Sequence, residues 1–89
     1  MQRIREIYYS SRFGRSIKNL PRELFGEVKN RELLFRNNCF DHRLKTHKLK
    51  GKFHDIWSFS VTYKHRVVFR FLGDDAVYFI TVGDHSIYQ

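Results

Sequence analysis

Apolar positions change their spacing along this chain. After a short opening segment they recur at helical intervals up to residue 37, and from residue 47 onward they alternate with polar ones. Residues 3 to 9, Arg-Ile-Arg-Glu-Ile-Tyr-Tyr, read as a first strand with imperfect alternation. Ser10 and Ser11 follow, and either can cap a helix. Phe13, Ile17 and Leu20 then fall at i, i+4 and i+7, forming a narrow apolar stripe that Arg12, Arg15 and Lys18 avoid. Pro21 breaks that helix and suits the first turn of a second. There, Leu24, Phe25, Val28, Leu34 and Phe35 share about half of the circumference, with Leu33 on the opposite side. Asn37-Asn38 is a stop signal, so helices 11–20 and 22–37 read as an α-hairpin with a tight connection.

Beyond residue 47 the period is 2. Trp57, Phe59, Val61 and Tyr63 alternate with Ser58, Ser60, Thr62 and Lys64, as in a strand with one buried face. His65, Val67, Phe69 and Phe71 then alternate with Arg66, Val68 and Arg70. Gly73-Asp74-Asp75 reads as a hairpin turn, and Val77 to Val82, apolar throughout, as a central or doubly covered strand. Short links favour an antiparallel meander. No repeat, linker or low-complexity tract interrupts the chain, so residues 1–89 read as a single domain. The expected class is α+β: an N-terminal strand and an α-hairpin packed on one face of an antiparallel sheet. Parity places Arg66 and Arg70 on the same side. With Phe69 and Phe71 toward the helices, both arginines project from the uncovered face beside Ser58, Ser60 and Thr62, a cationic surface suited to phosphate.

Charge sharpens this picture. Lys plus Arg number 17 against nine Asp plus Glu, a formal net charge of +8. A folded domain this basic is expected to meet a polyanion, either nucleic acid or an acidic protein. No apolar run approaches the length of a spanning helix and no secretory h-region follows Met1, so no membrane partner is expected. The single Cys39 permits no internal disulfide and suits a reducing, cytoplasmic setting, as a small filler rather than a nucleophile. The five histidines are scattered without H-x₃-H or C-x₂-C spacing, so no metal site is expected. No glycine-rich phosphate loop is present, and no cofactor is expected.

Two histidines stand out by their company. His47 lies within Lys45-Thr46-His47-Lys48-Leu49-Lys50-Gly51, and His85 within Gly83-Asp84-His85. An imidazole moves a proton near neutral pH and an ammonium group holds phosphate, which together are what phosphodiester cleavage needs. The plainer readings are a solvated basic loop for Lys45, Lys48 and Lys50, a turn residue for Asp84, a core role for Trp57, and ion pairing with neighbouring carboxylates for Arg66 and Arg70.

The segment Lys45 to Gly51, followed by Trp57-Ser58-Phe59-Ser60-Val61, His65-Arg66-Val67-Val68-Phe69-Arg70-Phe71 and Val82-Gly83-Asp84-His85, resembles the RelE/ParE superfamily of bacterial toxins. Within it, the nearest likeness is to the YafQ-like, RelE/StbE branch of type II toxin–antitoxin systems. The strand and α-hairpin layout agrees, so the likeness covers essentially the whole chain.

The resemblance implies a small cytoplasmic endoribonuclease, an mRNA interferase that acts on ribosome-bound message without metal and is neutralised by an acidic antitoxin. It carries functional histidines over to His47 and His85. The family's strand acid and further histidine correspond here to Lys64 and Ser60, and its last-strand arginine to Thr81. On this scheme His47 and His85 transfer protons in either order and Arg66 and Arg70 clamp the phosphate. Lys45, Lys48 and Lys50 hold the flanking RNA backbone, and Tyr88 stacks on a base or bonds near the phosphate. Two other readings stay open: a ParE-like toxin that inhibits DNA gyrase without cutting, and a plain basic nucleic-acid-binding module.

Overall fold

The computed structural model describes residues 2–51 and 55–84. The order is strand β1 (Glu6–Tyr9), helix α1 (Ser11–Lys18), helix α2 (Phe25–Asn37), then strands β2 (His47–Lys48), β3 (Trp57–Ser60), β4 (Arg66–Phe71) and β5 (Ala76–Gly83). The strands form one sheet in the order β1-β5-β4-β3-β2. From β2 through β5 every pairing is antiparallel, whereas β1 joins β5 in parallel, so the sheet as a whole is mixed. The α-hairpin between β1 and the meander supplies the crossover that a parallel pairing requires. No helix among the described residues is long and apolar enough to cross a membrane.

Local signals set the helix boundaries. Ser10 is the N-cap of α1, its hydroxyl oxygen accepting from Phe13 N at 2.9 Å. A single 3₁₀ turn at Arg22–Leu24 after Pro21 leads into α2. Val28 and Phe35 of α2 are buried, while Phe25, at the margin of the apolar arc, stays exposed, as does Leu33 on the far side. The core centres on Phe35. Its ring stacks on Phe59 at 4.7 Å and meets Phe69 and Phe79 edge-on at 5.0 and 5.6 Å. One helix is thereby tied to three adjacent strands, β3, β4 and β5.

Two departures from simple alternation position the functional face. The strand expected over 57–64 ends at Ser60, and residues 61–65 form a tight turn. Thr62 Oγ1 accepts from the backbone N of Lys64 and of His65 and pairs with His65 Nδ1 at 3.0 Å. A threonine that satisfies its own turn in this way competes successfully with strand continuation. Tyr63, expected on the buried parity, is instead 93% exposed.

The second departure is a bulge. Val68 pairs with Thr81 but Phe69 pairs with Phe79, leaving Ile80 as an extra residue in β5. The parity of β5 inverts there. Val77 and Phe79 face the helices before the bulge and Val82 faces them after it, which sends Thr81 to the opposite face. Beyond the end of β1, serines of the α1 segment complete the bonding of β5. Ser10 Oγ donates to Ile80 O at 2.7 Å, and Ser16 Oγ accepts from Val82 N at 3.1 Å.

Candidate functional site

The face of the sheet away from the helices carries three rows of side chains. The middle row runs His47, Ser58, Val68, Thr81 across β2, β3, β4 and β5. One side is flanked by Ser60, Arg66 and Gly83, the other by Arg70, Tyr78 and Tyr8. Arg66 and Arg70 thus stand on the same face, one on each side of the histidine row, each offset from it by roughly 7 Å along the strand.

Arg66 is held. Its Nη1 donates to Ser60 Oγ at 2.9 Å, which fixes the guanidinium over its cross-strand neighbour. Arg70 is exposed. His47 is exposed on the short edge strand, with its Nδ1 2.9 Å from the carbonyl oxygen of Lys45. A carbonyl only accepts, so Nδ1 carries the proton, and in the neutral ring Nε2 is left as the acceptor. Lys45 occupies a left-handed backbone conformation, φ 51°, where the 3₁₀ turn His42–Leu44 ends. That conformation is unfavourable for a side-chain-bearing residue. It aims the Lys45 carbonyl at the histidine.

The middle of the face is largely buried. Ser58, Ser60 and Thr81 are all buried, against the expectation of an open polar surface at Ser58 and Ser60. Short side chains sit here among longer neighbours, so the floor of the face lies below its rim. Ser58 Oγ is fully buried and has no hydrogen-bond partner among the described residues. Burying a hydroxyl in this way costs about 1–3 kcal/mol.

The remaining predicted residues are more dispersed. Lys48 shares the parity of Trp57 and so points to the other face from His47, where its ammonium lies 3.7 Å from Asp55 between two exposed side chains. Lys50 is exposed just beyond β2. His85 and Tyr88 lie outside the described residues. His65 is committed to the turn through Thr62, and Trp57 packs against Phe71 at 5.2 Å, a core-edge role. Cys39 is completely buried, and that burial pushes its thiol up to about 11, which makes it inert as a nucleophile. Among the described residues no group of three His, Cys, Asp or Glu side chains is placed to hold a metal ion.

Sequence reasoning missed the cations that gather below the β3–β4 turn. Arg31 and Arg43 join Lys45, Ser60, Thr62 and Tyr63 around a depression of about 220 Å³. Arg31 is paired with Glu27 and Arg43 with Asp41. The bonds from Arg43 hold the Asp41 carboxyl well below the usual carboxylate range. Helical spacing alone does not show that Arg31 of α2 approaches this strand end. Its Nη1 does so by donating to Arg43 O at 2.9 Å.

The fold matches those of solved toxin structures. The chain is similar to YafQ from E. coli strain BL21(DE3), with a TM-score of 0.76 at 18% identity over 94% of this chain and 97% of that one. It is similar to a chain of the E. coli DinJ–YafQ toxin–antitoxin complex, with a TM-score of 0.73 at 22% identity over 97% and 96%. It is also similar to the YoeB/ParE toxin from Agrobacterium tumefaciens, with a TM-score of 0.75 at 18% identity over 91% and 99%. No protein-family model and no curated protein sequence matches the chain. The fold is that of the RelE/YafQ-like toxins.

Proposed function

We propose that this protein is the toxin of a type II toxin–antitoxin pair and an endoribonuclease that cuts mRNA on the ribosome without a metal ion. The observation that carries the reading is the histidine row: His47, exposed at its edge with Nε2 left to accept, in line with buried Ser58 and Thr81 and between the flanking arginines Arg66 and Arg70. The likeness in fold to YafQ and YoeB supports it.

The chemistry follows from RNA itself. The 2′-oxygen attacks the adjacent phosphorus once a base removes its proton, and the bond from phosphorus to the 5′-oxygen breaks as that oxygen receives a proton. The products are a 2′,3′-cyclic phosphate and a 5′-hydroxyl end. The tautomer held by Lys45 suits His47 to the base role, leaving the acid role to His85. Arg66, immobilised by Ser60, and Arg70 neutralise the charge that grows on the phosphate. Lys45 and Lys50 contact the flanking backbone and Tyr88 a base, whereas Lys48, turned to the other face beside Asp55, does not reach the RNA held at His47. The net charge of +8 fits both RNA and an acidic antitoxin, and the DinJ–YafQ complex supports a partner of the latter kind. Both partners place the protein in the cytoplasm.

A second reading, a toxin that inhibits DNA gyrase without cutting, is favoured by Lys64 and Thr81, which replace the acid and arginine of the family pattern. Purified protein added to ribosomes translating a defined message separates the two. The nuclease reading expects cuts in phase with codons that leave 2′,3′-cyclic phosphate and 5′-hydroxyl ends, the mark of attack by the RNA's own 2′-oxygen. Intact message together with inhibited gyrase supercoiling would replace it with the second.

A further inference from the structure

Tyr63 is the most exposed aromatic side chain among the described residues, and the catalytic scheme leaves it unused. It does not sit on a loose loop. Val61 N and Thr62 N both donate to His65 O, at 2.8 and 3.2 Å, and Thr62 Oγ1 binds the backbone of Lys64 and His65 from inside the turn. Thr62 and His65 side chains close the ring at 3.0 Å. The turn is a rigid mount for one phenol ring. Its exposure forgoes the burial that nine-tenths of such a ring's area would provide in the core.

Beside the ring lies the depression lined by Arg31, Arg43, Lys45, Ser60 and Thr62. Two of its cations are already paired with carboxylates, while the Lys45 ammonium has no ion-pair partner among the described residues. Ser60 links the depression to the open face, because it is the residue that holds Arg66. The Lys45 backbone links it to His47. A flat, rigid aromatic face next to an unpaired ammonium is the combination that grips single-stranded nucleic acid: the base stacks and the backbone is neutralised.

Resting on the ribonuclease reading above, we propose that this turn is a nucleotide subsite. One base of single-stranded RNA, next to the nucleotides at the histidine row, stacks on Tyr63, and its phosphate is held by Lys45. The site takes any base, since every base has a π-face on which the ring can stack.

The test is titration of the purified protein with a fluorescent single-stranded octanucleotide. Its 2′-O-methyl groups prevent cleavage, and an abasic backbone of equal charge serves as control. Tyr63→Ala is expected to weaken the octanucleotide by roughly tenfold or more and leave the salt dependence unchanged. Tyr63→Phe should bind like the parent, and the abasic backbone should not distinguish Tyr63→Ala from the parent. Lys45→Ala should lower the slope of log affinity against log salt by about 0.7. Because Tyr63 is exposed, its substitution should not move the melting temperature. Equal affinity of Tyr63→Ala and parent for the octanucleotide overturns the subsite. So does a Tyr63→Ala effect confined to an acidic helical peptide, which would assign the surface to a protein partner. A parent protein that binds RNA through Tyr63 but cuts no message would leave the subsite standing and remove the nuclease reading instead.

Discussion

The carbonyl oxygen of Lys45 lies 2.9 Å from Nδ1 of His47, and this one contact decides which nitrogen of the imidazole is available. The contact depends on the left-handed backbone at Lys45, since an ordinary conformation would turn that carbonyl elsewhere. The proposed chemistry therefore leans on a backbone feature two residues away from the functional side chain.

Arg66 is expected to act through both charge and shape. Arg66→Ala should reduce the slope of log RNA affinity against log salt by about 0.7–0.9, one phosphate contact. Arg66→Lys should keep that slope but still lose cleavage, because an ammonium cannot both reach Ser60 and present a fork to phosphate. Full activity in Arg66→Lys would remove the clamp.

Ser58→Ala should stabilise the fold. It removes a buried hydroxyl that has no partner among the described residues, a gain of about 1 kcal/mol. In a thermal melt this corresponds to a rise of roughly 4–8 °C for a chain of this size. A lower melting temperature would mean that Ser58 is bonded in solution.

Ser10 serves two elements at once, capping α1 and donating to the carbonyl of the bulge residue Ile80. Ser10→Ala should cost about 1–2 kcal/mol in urea unfolding. Ser10→Asn, which can still cap, should recover part of that loss.

Cys39 gives a pH signature of opposite sign to a paired carboxylate. Burial raises its thiol to about 11 in the folded protein. The unfolded chain releases this proton first, so the contribution is intact below the ordinary thiol range near 8.5 and declines as pH rises toward 11. The parent should lose more stability between pH 8 and pH 10 than Cys39→Ala. At pH 8, a thiol reagent should label Cys39 only at the rate of unfolding.

Much of the fold was legible because periodicity reports burial directly. Phe13 and Phe35 lie on the helical stripes and Phe59 and Phe69 on the strand parity, and all four reached the core. The same method failed where a local side chain overrode the pattern. Val61 and Tyr63 continue the alternation of β3, yet Thr62 satisfies its own turn and ends the strand, so Tyr63 emerges into solvent. It failed again at Ile80. Nothing in the apolar run Val77 to Val82 marks which residue is extra, so the inversion that turns Thr81 to the open face was hidden. At the site, parity correctly paired Arg66 with Arg70 on one face. Register across three strands, which placed His47 between them, depends on pairings that one sequence does not encode locally.

The row beginning at His47 is proposed to cut RNA. The direct measurement is to induce the parent and His47→Ala to equal levels in a bacterial host and map new 5′-ends across cellular mRNA. Codon-phased ends bearing 5′-hydroxyls should appear with the parent and fall by at least about a hundredfold with His47→Ala, the usual worth of a positioned acid–base group. Equal cutting by both proteins, or message left intact by the parent, would contradict the account.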